Sequence, residues 1–228
     1  GHVLVFANSP LNEADRTRLS ACGTVEIFQS SENVGLGHAY NQLMRRACEH
    51  GADALLLADQ DSVLEPAAVR EIEARMEALA AAGNRVAVVG ARPIAPREAT
   101  TEFKAPRLFE RRSDTQVPGV MAVDFVVSSG SLVSRAAYDA VGPFREDFFI
   151  DAIDIEWCFR AWDKGYSCWT ALEAPMEHHL GQGAMRLPLT GLTLTVQRPA
   201  RLYTYVRNQV RMLGLRHVPL GWKLRILP

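Results

Sequence analysis

The sequence predicts an α/β fold with a largely parallel sheet flanked by helices. Three observations carry this. Strand-like apolar runs alternate with amphipathic helical stretches at short spacing, glycines fall just past the helical stretches, and residues 54–58 are continuously apolar, as in a strand buried on both faces. The 228 residues suit a domain with a sizeable core, and 48% apolar with 22% charged residues is ordinary for a globular protein.

Val3-Leu4-Val5-Phe6 reads as a buried strand stopped by Asn8-Ser9-Pro10. Residues 15–22 form a short helix ending at Gly23, Val25-Glu26-Ile27-Phe28 is the next strand, and 31–37 is a loop. Residues 38–50 carry an apolar stripe (Tyr40, Leu43, Met44, Ala47), with Gly51 as the stop. After the strand at 54–58, Pro66 opens a helix with Val69, Ile72, Met76 and Leu79 on one face and Gly83 beyond its end, followed by a strand at 86–89. Residues 92–119, rich in Pro, Arg and Glu, read as an irregular excursion or flap. Residues 123–127 read as a strand running into Ser128-Ser129-Gly130-Ser131, and Ser134 caps a short helix ending at Gly142. A longer helix is expected over 147–164, closed by Gly165, and another around 201–213. The expected organisation is a core over 1–185 and a basic helical extension over 186–228.

The formal net charge of −1 names no partner, but its distribution is uneven. Residues 178–228 contain no Asp or Glu, whereas Arg186, Arg198, Arg201, Arg207, Arg211, Arg216, Lys223 and Arg225 are basic, which suggests a segment facing an anionic surface. Without an interleaved aromatic platform these residues do not read as a nucleic-acid interface. The four scattered cysteines (Cys22, Cys48, Cys158, Cys168) fit neither a zinc knuckle nor a disulfide framework, and a reducing cytosol is the simple reading. No apolar run approaches the ~20 residues of a membrane-spanning helix. No signal peptide is expected, since Gly1-His2 leads directly into a strand.

Asp59-Gln60-Asp61 places two carboxylates two residues apart at the carboxyl end of the 54–58 strand, the edge where α/β sheets bind ligands. Mg²⁺ and Mn²⁺ prefer such oxygen ligands and leave coordination positions for substrate phosphates; a solvated turn with capping acids is the plainer reading. Asp147, Asp151 and Asp154 recur at i, i+4 and i+7, so an unbroken helix would put them on one face, between apolar stripes of Ile150, Ile153, Trp157 and of Ile155, Phe159, Trp162. Carboxyls there line a cleft, where a raised pKa suits a general base, or pair with a base such as Arg160. His178-His179 precede Leu180-Gly181-Gln182-Gly183, and a histidine could complete a Mn²⁺ site. Residues 33–41 form a glycine-bearing loop entering a helix, without the dinucleotide spacing.

In this order and spacing the segments resemble the inverting family 2 glycosyltransferases of GT-A fold, and most of all bacterial rhamnosyltransferases of cell-surface polysaccharide. The resemblance runs from about Val3 to Asn208. Asn33-Val34-Gly35-Leu36-Gly37-His38-Ala39-Tyr40-Asn41 is similar to the family's N-x-G-x-x-x-A-x-N segment, and Asp59-Gln60-Asp61-Ser62 to its metal motif. Ser129-Gly130-Ser131 matches a stretch near the acceptor cleft. Residues 148–160 resemble the segment carrying the catalytic base, His178 the late metal-binding histidine, and Arg207-Asn208 an Arg-Asn pair in the last helix.

What the resemblance implies is a metal-dependent enzyme with Asp154 as base and Mg²⁺ or Mn²⁺ held by Asp61, Asp59 and His178. Donor contacts fall on Asn8, Asn33, Gly35, Asn41 and Gln60, and acceptor-side positions on Ser129, Gly130, Asp151, Glu156 and Arg207. The implied donor is a nucleotide sugar, dTDP-L-rhamnose, and the acceptor a glycan or lipid-linked glycan. The implied location is cytoplasmic, with peripheral contact on the inner face of the plasma membrane. The first strand aligns with the family's second, so the expected sheet lacks the family's first strand, and Ala7 stands where a base-contacting aspartate is expected. A catalytically inert binding module and a nucleotidyltransferase are the alternative readings; the latter normally carries a glycine-rich basic loop near its amino terminus, which is not visible here.

Overall fold

The computed structural model describes residues 2–60, 62–94, 108–177, 183–186, 193–196 and 199–226. The chain order is β1 (Val3–Ala7), α1 (Glu13–Ser20), β2 (Val25–Gln29), α2 (Leu36–Glu49), β3 (Ala54–Leu57), α3 (Pro66–Ala81), β4 (Val86–Ile94), β5 (Val120–Ala122), β6 (Ser131–Ser134) and α4 (Arg135–Val141). A 3₁₀ turn (Glu146–Phe148) follows, then α5 (Ile153–Asp163), β7 (Ser167–Glu177), β8 (Gly183–Arg186), β9 (Thr193–Val196), α6 (Pro199–Leu213) and α7 (Leu220–Ile226).

The α/β class is as expected, but the central sheet is mixed. Its strand order is β3-β6-β4-β7-β5. Strands β3, β4 and β7 run one way. β6 runs against both of its neighbours, β3 and β4, and β5 runs against β7. The difference arises at residues 131–134. They read as the end of a Ser-Gly-Ser loop, yet Gly130 turns the chain with φ 71° and Ser131–Ser134 inserts as β6 between β3 and β4. The strand expected over 123–127 is displaced to 120–122. β1 and β2 form a separate parallel pair. Among the described residues no strand hydrogen bonds join the β1-β2 pair to the five-stranded sheet.

The apolar runs have the two-sided burial their composition demands. Along β3, Ala54 and Leu56 pack toward Ile72 and Leu79 of α3, while Leu55 and Leu57 pack toward the larger core of Tyr40, Met44, Trp157 and Phe159. The same alternation places Leu132 and Val133 of β6 in different clusters. Met212 and Val218 of the carboxyl-terminal segment belong to the larger core, and Trp222 packs against it. No described helix is long and apolar enough to cross a membrane.

The helix expected over 147–164 is corrected. It begins at Ile153, because Phe149, Asp151 and Ala152 take left-handed backbone conformations (φ 65°, 65° and 60°) that no α-helix contains. Asp147 and Asp151 therefore do not share a helix face with Asp154.

Candidate active site

The site forms where β3 ends, where the turn 128–131 enters β6, and where α5 begins. Gly130 N–H donates to Leu57 O (2.8 Å), which holds the turn against the end of β3. Asp59 N–H donates to Ser129 Oγ (3.0 Å), and the Tyr40 hydroxyl lies 3.0 Å from Asp59 Oδ1 and 3.1 Å from Ser128 Oγ. A hydroxyl has one proton, so Tyr40 donates to the carboxylate and accepts from Ser128. Ser128 N–H in turn donates to Asp154 Oδ2 (3.1 Å). Asp59 and Asp154, 95 positions apart in the chain, are thus joined through one tyrosine and one serine.

Asp154 opens the first turn of α5, and its Oδ1 accepts from the N–H of Ile155 (2.9 Å). Burial raises its pKa from 3.8 to about 6; the amides of Ile155 and Ser128 oppose the shift, and the neighbouring charge of Asp151 adds to it. Asp154 as a whole residue is half-buried. Its carboxyl ionises near neutrality, which suits general-base work. The Tyr40 hydroxyl is held well above its usual range by burial and by the charges of Asp59 and Asp154, so it stays protonated as a donor.

The segment before Asp154 is held from two sides. From α2, Leu36 N–H donates to Phe149 O (2.6 Å), and Gly35, with φ 87°, lies so close that a Cβ would sit 2.8 Å from Phe149 Cδ2 and O. From α6, the buried Asn208 amide lies 2.8, 2.8 and 2.9 Å from the carbonyls of Phe148, Ile150 and Asp151. Arg207 donates to Phe148 O (2.8 Å), Arg211 to Asp147 O (2.6 Å), and Arg201 to Asp151 Oδ1 (3.2 Å).

Several other expected binding residues make contacts within the fold. Asn41 is buried, with its amide on Phe144 O and Glu146 Oε1 and its carbonyl on Tyr138 and Phe144 N–H, so it anchors the 144–146 loop. Asn8 and Asn33 accept from Val34 N–H and Gly35 N–H, and with Gly35 they shape the loop under Phe149. Ser129 is buried and positions Asp59. Gly130 is required because a Cβ would meet Met176 Sδ at 2.5 Å. Glu156 is buried against Arg160 (2.9 Å), with His217 Nε2 2.8 Å away but out of line for a hydrogen bond, and serves as an internal ion-pair partner. Arg207 is spent on the loop carbonyls, and Asp151 is partly buried beneath Arg201. Gln60 is exposed at the site's edge.

Asp61 and His178 lie outside the described residues. Among the described residues no three His, Cys, Asp or Glu side chains gather as a metal site. Asp59, a partly exposed carboxylate at the strand end, supplies the hard oxygen chemistry that Mg²⁺ or Mn²⁺ takes. Asn208 is legible in the sequence only as half of the Arg207-Asn208 pair, and the role of the Tyr40 hydroxyl is not legible at all. Tyr40 reads as one member of the apolar stripe of α2, and only its partners, 19 and 88 positions away, reveal the use of its hydroxyl.

No family model matches the chain. Two solved structures show its fold. GalNAc-T7 with UDP, GalNAc and Mn²⁺ superposes with a TM-score of 0.59 at 10% identity, over 78% of this chain and 37% of that one. S. aureus TarS 1-349 in complex with UDP superposes with a TM-score of 0.59 at 14% identity, over 99% of this chain and 60% of that one. This chain therefore spans less than two thirds of either solved chain. These likenesses show that the chain has a GT-A fold. In sequence it is similar to the dTDP-rhamnosyl transferase RfbF of Shigella flexneri, with 25% identity over 227 residues covering 97% of this chain and 74% of that one.

Proposed function

We propose that this chain is a metal-dependent inverting glycosyltransferase that moves L-rhamnose from dTDP-L-rhamnose to a cell-surface polysaccharide or lipid-linked glycan. The observation that carries the reading is Asp154: a carboxyl ionising at about 6 and bound to the same hydrogen-bonded turn as Asp59. The likeness to a named rhamnosyltransferase supports the donor.

In this mechanism Asp154 takes the proton of the acceptor hydroxyl. The freed oxygen pair forms the new bond to the anomeric carbon as the bond to the nucleoside diphosphate breaks, and that electron pair leaves with the diphosphate, inverting the centre. Asp59, with Asp61 and His178, would hold Mg²⁺ or Mn²⁺, which when bound supplies positive charge for the diphosphate. Tyr40 keeps Asp59 oriented, and Ser128 N–H keeps Asp154 oriented toward the acceptor side.

Calorimetry with nucleoside diphosphates, with and without Mn²⁺, tests donor class. The proposal expects Mn²⁺-dependent binding of dTDP. Absence of binding to any nucleotide would leave the inert module as the better reading, which the alanine at position 7 would then explain.

A further inference from the structure

Helix α6 is amphipathic with its polarity reversed. Its inward face is polar: Asn208 is fully buried, Gln209 is 6% exposed, and Arg201, Arg207 and Arg211 reach down to residues 147–151; of its buried residues only Met212 is apolar. Its outward face is apolar. Leu202, Tyr203, Val206 and Val210 are 52, 68, 52 and 59% exposed. At 100° per residue these four fall within one arc of the helix, the i, i+4, i+8 line of 202, 206 and 210 with Tyr203 beside it. A surface helix in a self-sufficient domain turns its apolar stripe to the core. Here the polar groups are used to hold the loop before Asp154, and the stripe is left facing outward.

Helix α7 repeats the arrangement in shorter form. Trp222 packs on the core while Leu220 and Leu224 are 71 and 62% exposed. The same spacing puts Lys223 and Arg225 on opposite flanks of that pair. Apolar side chains bordered by long cationic ones, with tyrosines at the margin, are the composition of a helix lying in a lipid headgroup region. Charge decides the lipid class. Residues 178–228 hold eight Lys or Arg and no acidic residue. Arg201, Arg207 and Arg211 are turned to the 147–151 segment, while Lys223 and Arg225 flank the exposed leucines, so an anionic surface is matched better than a neutral one.

We propose that the outward face of α6, continued by Leu220 and Leu224 of α7, is a docking surface for an anionic lipid bilayer. The inference is independent of which donor the site takes. Docking there brings the carboxyl-terminal helices to the headgroups while the polar side of α6 keeps its hold on the loop that leads to Asp154.

The test is co-sedimentation of the 228-residue chain with vesicles of phosphatidylcholine alone and of phosphatidylcholine with ~30% phosphatidylglycerol, near 0.05 M and 0.5 M salt. The expected result is binding to the anionic vesicles that weakens at high salt and falls at least tenfold in the double variant Val206→Glu/Val210→Glu. Both positions are exposed, so that variant should keep the far-UV circular dichroism and melting temperature of the parent. Absence of vesicle binding, or equal binding by parent and variant, overturns the proposal. Concentration-dependent dimerisation of the parent that the variant abolishes, without vesicle binding, also overturns it and assigns the face to a second copy of the chain.

Discussion

The hydroxyl of Tyr40 occupies the narrowest point between the two carboxylates of the site. It touches Asp59 and Ser128, and Ser128 N–H touches Asp154. Tyr40→Phe keeps the ring that packs edge-on against Phe144 and removes only these bonds. The expected loss is about 1–2 kcal/mol in urea unfolding, the penalty for stranding buried polar partners. Turnover should fall by roughly tenfold, as Asp59 and the 128–131 turn lose their common support. Unchanged turnover would show that the hydroxyl serves packing alone.

Asp154 predicts a pH dependence of stability with a definite sign. Its folded pKa, about 6, lies above the unfolded value near 3.8. Below the unfolded value both states are protonated and the residue contributes nothing to the balance. As pH rises through this window the unfolded state ionises first and gains, so stability is lost between about pH 4 and pH 6 and stays lost above it. The full shift corresponds to about 3 kcal/mol, less for a residue that is half-buried, so about 1–3 kcal/mol is expected. Asp154→Asn should therefore gain on the parent between pH 4 and pH 7 in urea unfolding, whatever its offset at pH 4. A difference that stays constant with pH would contradict the buried, titrating carboxyl.

At the scale of elements, the segment 146–152 is shaped by its neighbours more than by its own sequence. Three non-glycine residues in left-handed conformations each cost roughly 1–3 kcal/mol. They persist because Asn208, Arg207, Arg211 and the amino end of α2 bind the same few carbonyls. Asn208→Ala removes the amide shared by three of them, and a loss of about 2–4 kcal/mol follows, with a melting temperature lower by roughly 5–12 °C. Gly35→Ala should be comparably harmful, since the new Cβ would lie 2.8 Å from Phe149 and the residue holds φ 87°. Thermal melts of both variants measure this; parent-like melting in either would mean the segment holds its shape unaided.

The same segment marks the limit of what the sequence makes legible. Pattern and stop signals identify α2, α3 and α4 closely, because Gly51, Pro66, Gly83, Ser134 and Gly142 are local signals with local consequences. The carboxylates of the site are legible as types in order: Asp59 after a buried strand, Asp154 among apolar residues. Their partners are not. The 147–151 acids keep helical spacing, and only tertiary contacts from α2 and α6 oppose the helix; β6 reads as loop because four residues carry little period-2 pattern. The internal contacts of Asn41, Glu156 and Arg207 are not legible, because a buried, satisfied polar residue has the same one-letter code as an exposed, reactive one.

For the whole molecule, the sheet, the two helix layers and the α6–α7 pair converge on one edge. β3 delivers Asp59, the 128–131 turn couples it to α5, and α6 fixes the approach to Asp154 while turning its apolar side outward. On the proposed reading, the reaction takes place at the strand ends and the carboxyl-terminal helices meet a lipid surface. Its central claim is that Asp154 is the base. The direct measurement is the pH profile of dTDP-L-rhamnose turnover with Mn²⁺ and a membrane-extracted acceptor, for the parent and for Asp154→Asn. The parent's kcat/KM should rise tenfold per pH unit below about 6 and level off above it. The variant should be slower by ~10²–10⁴ at pH 7.5 and lose that inflection while still binding dTDP. A variant that turns over at the parent's rate, or keeps the parent's pH profile, would contradict the account.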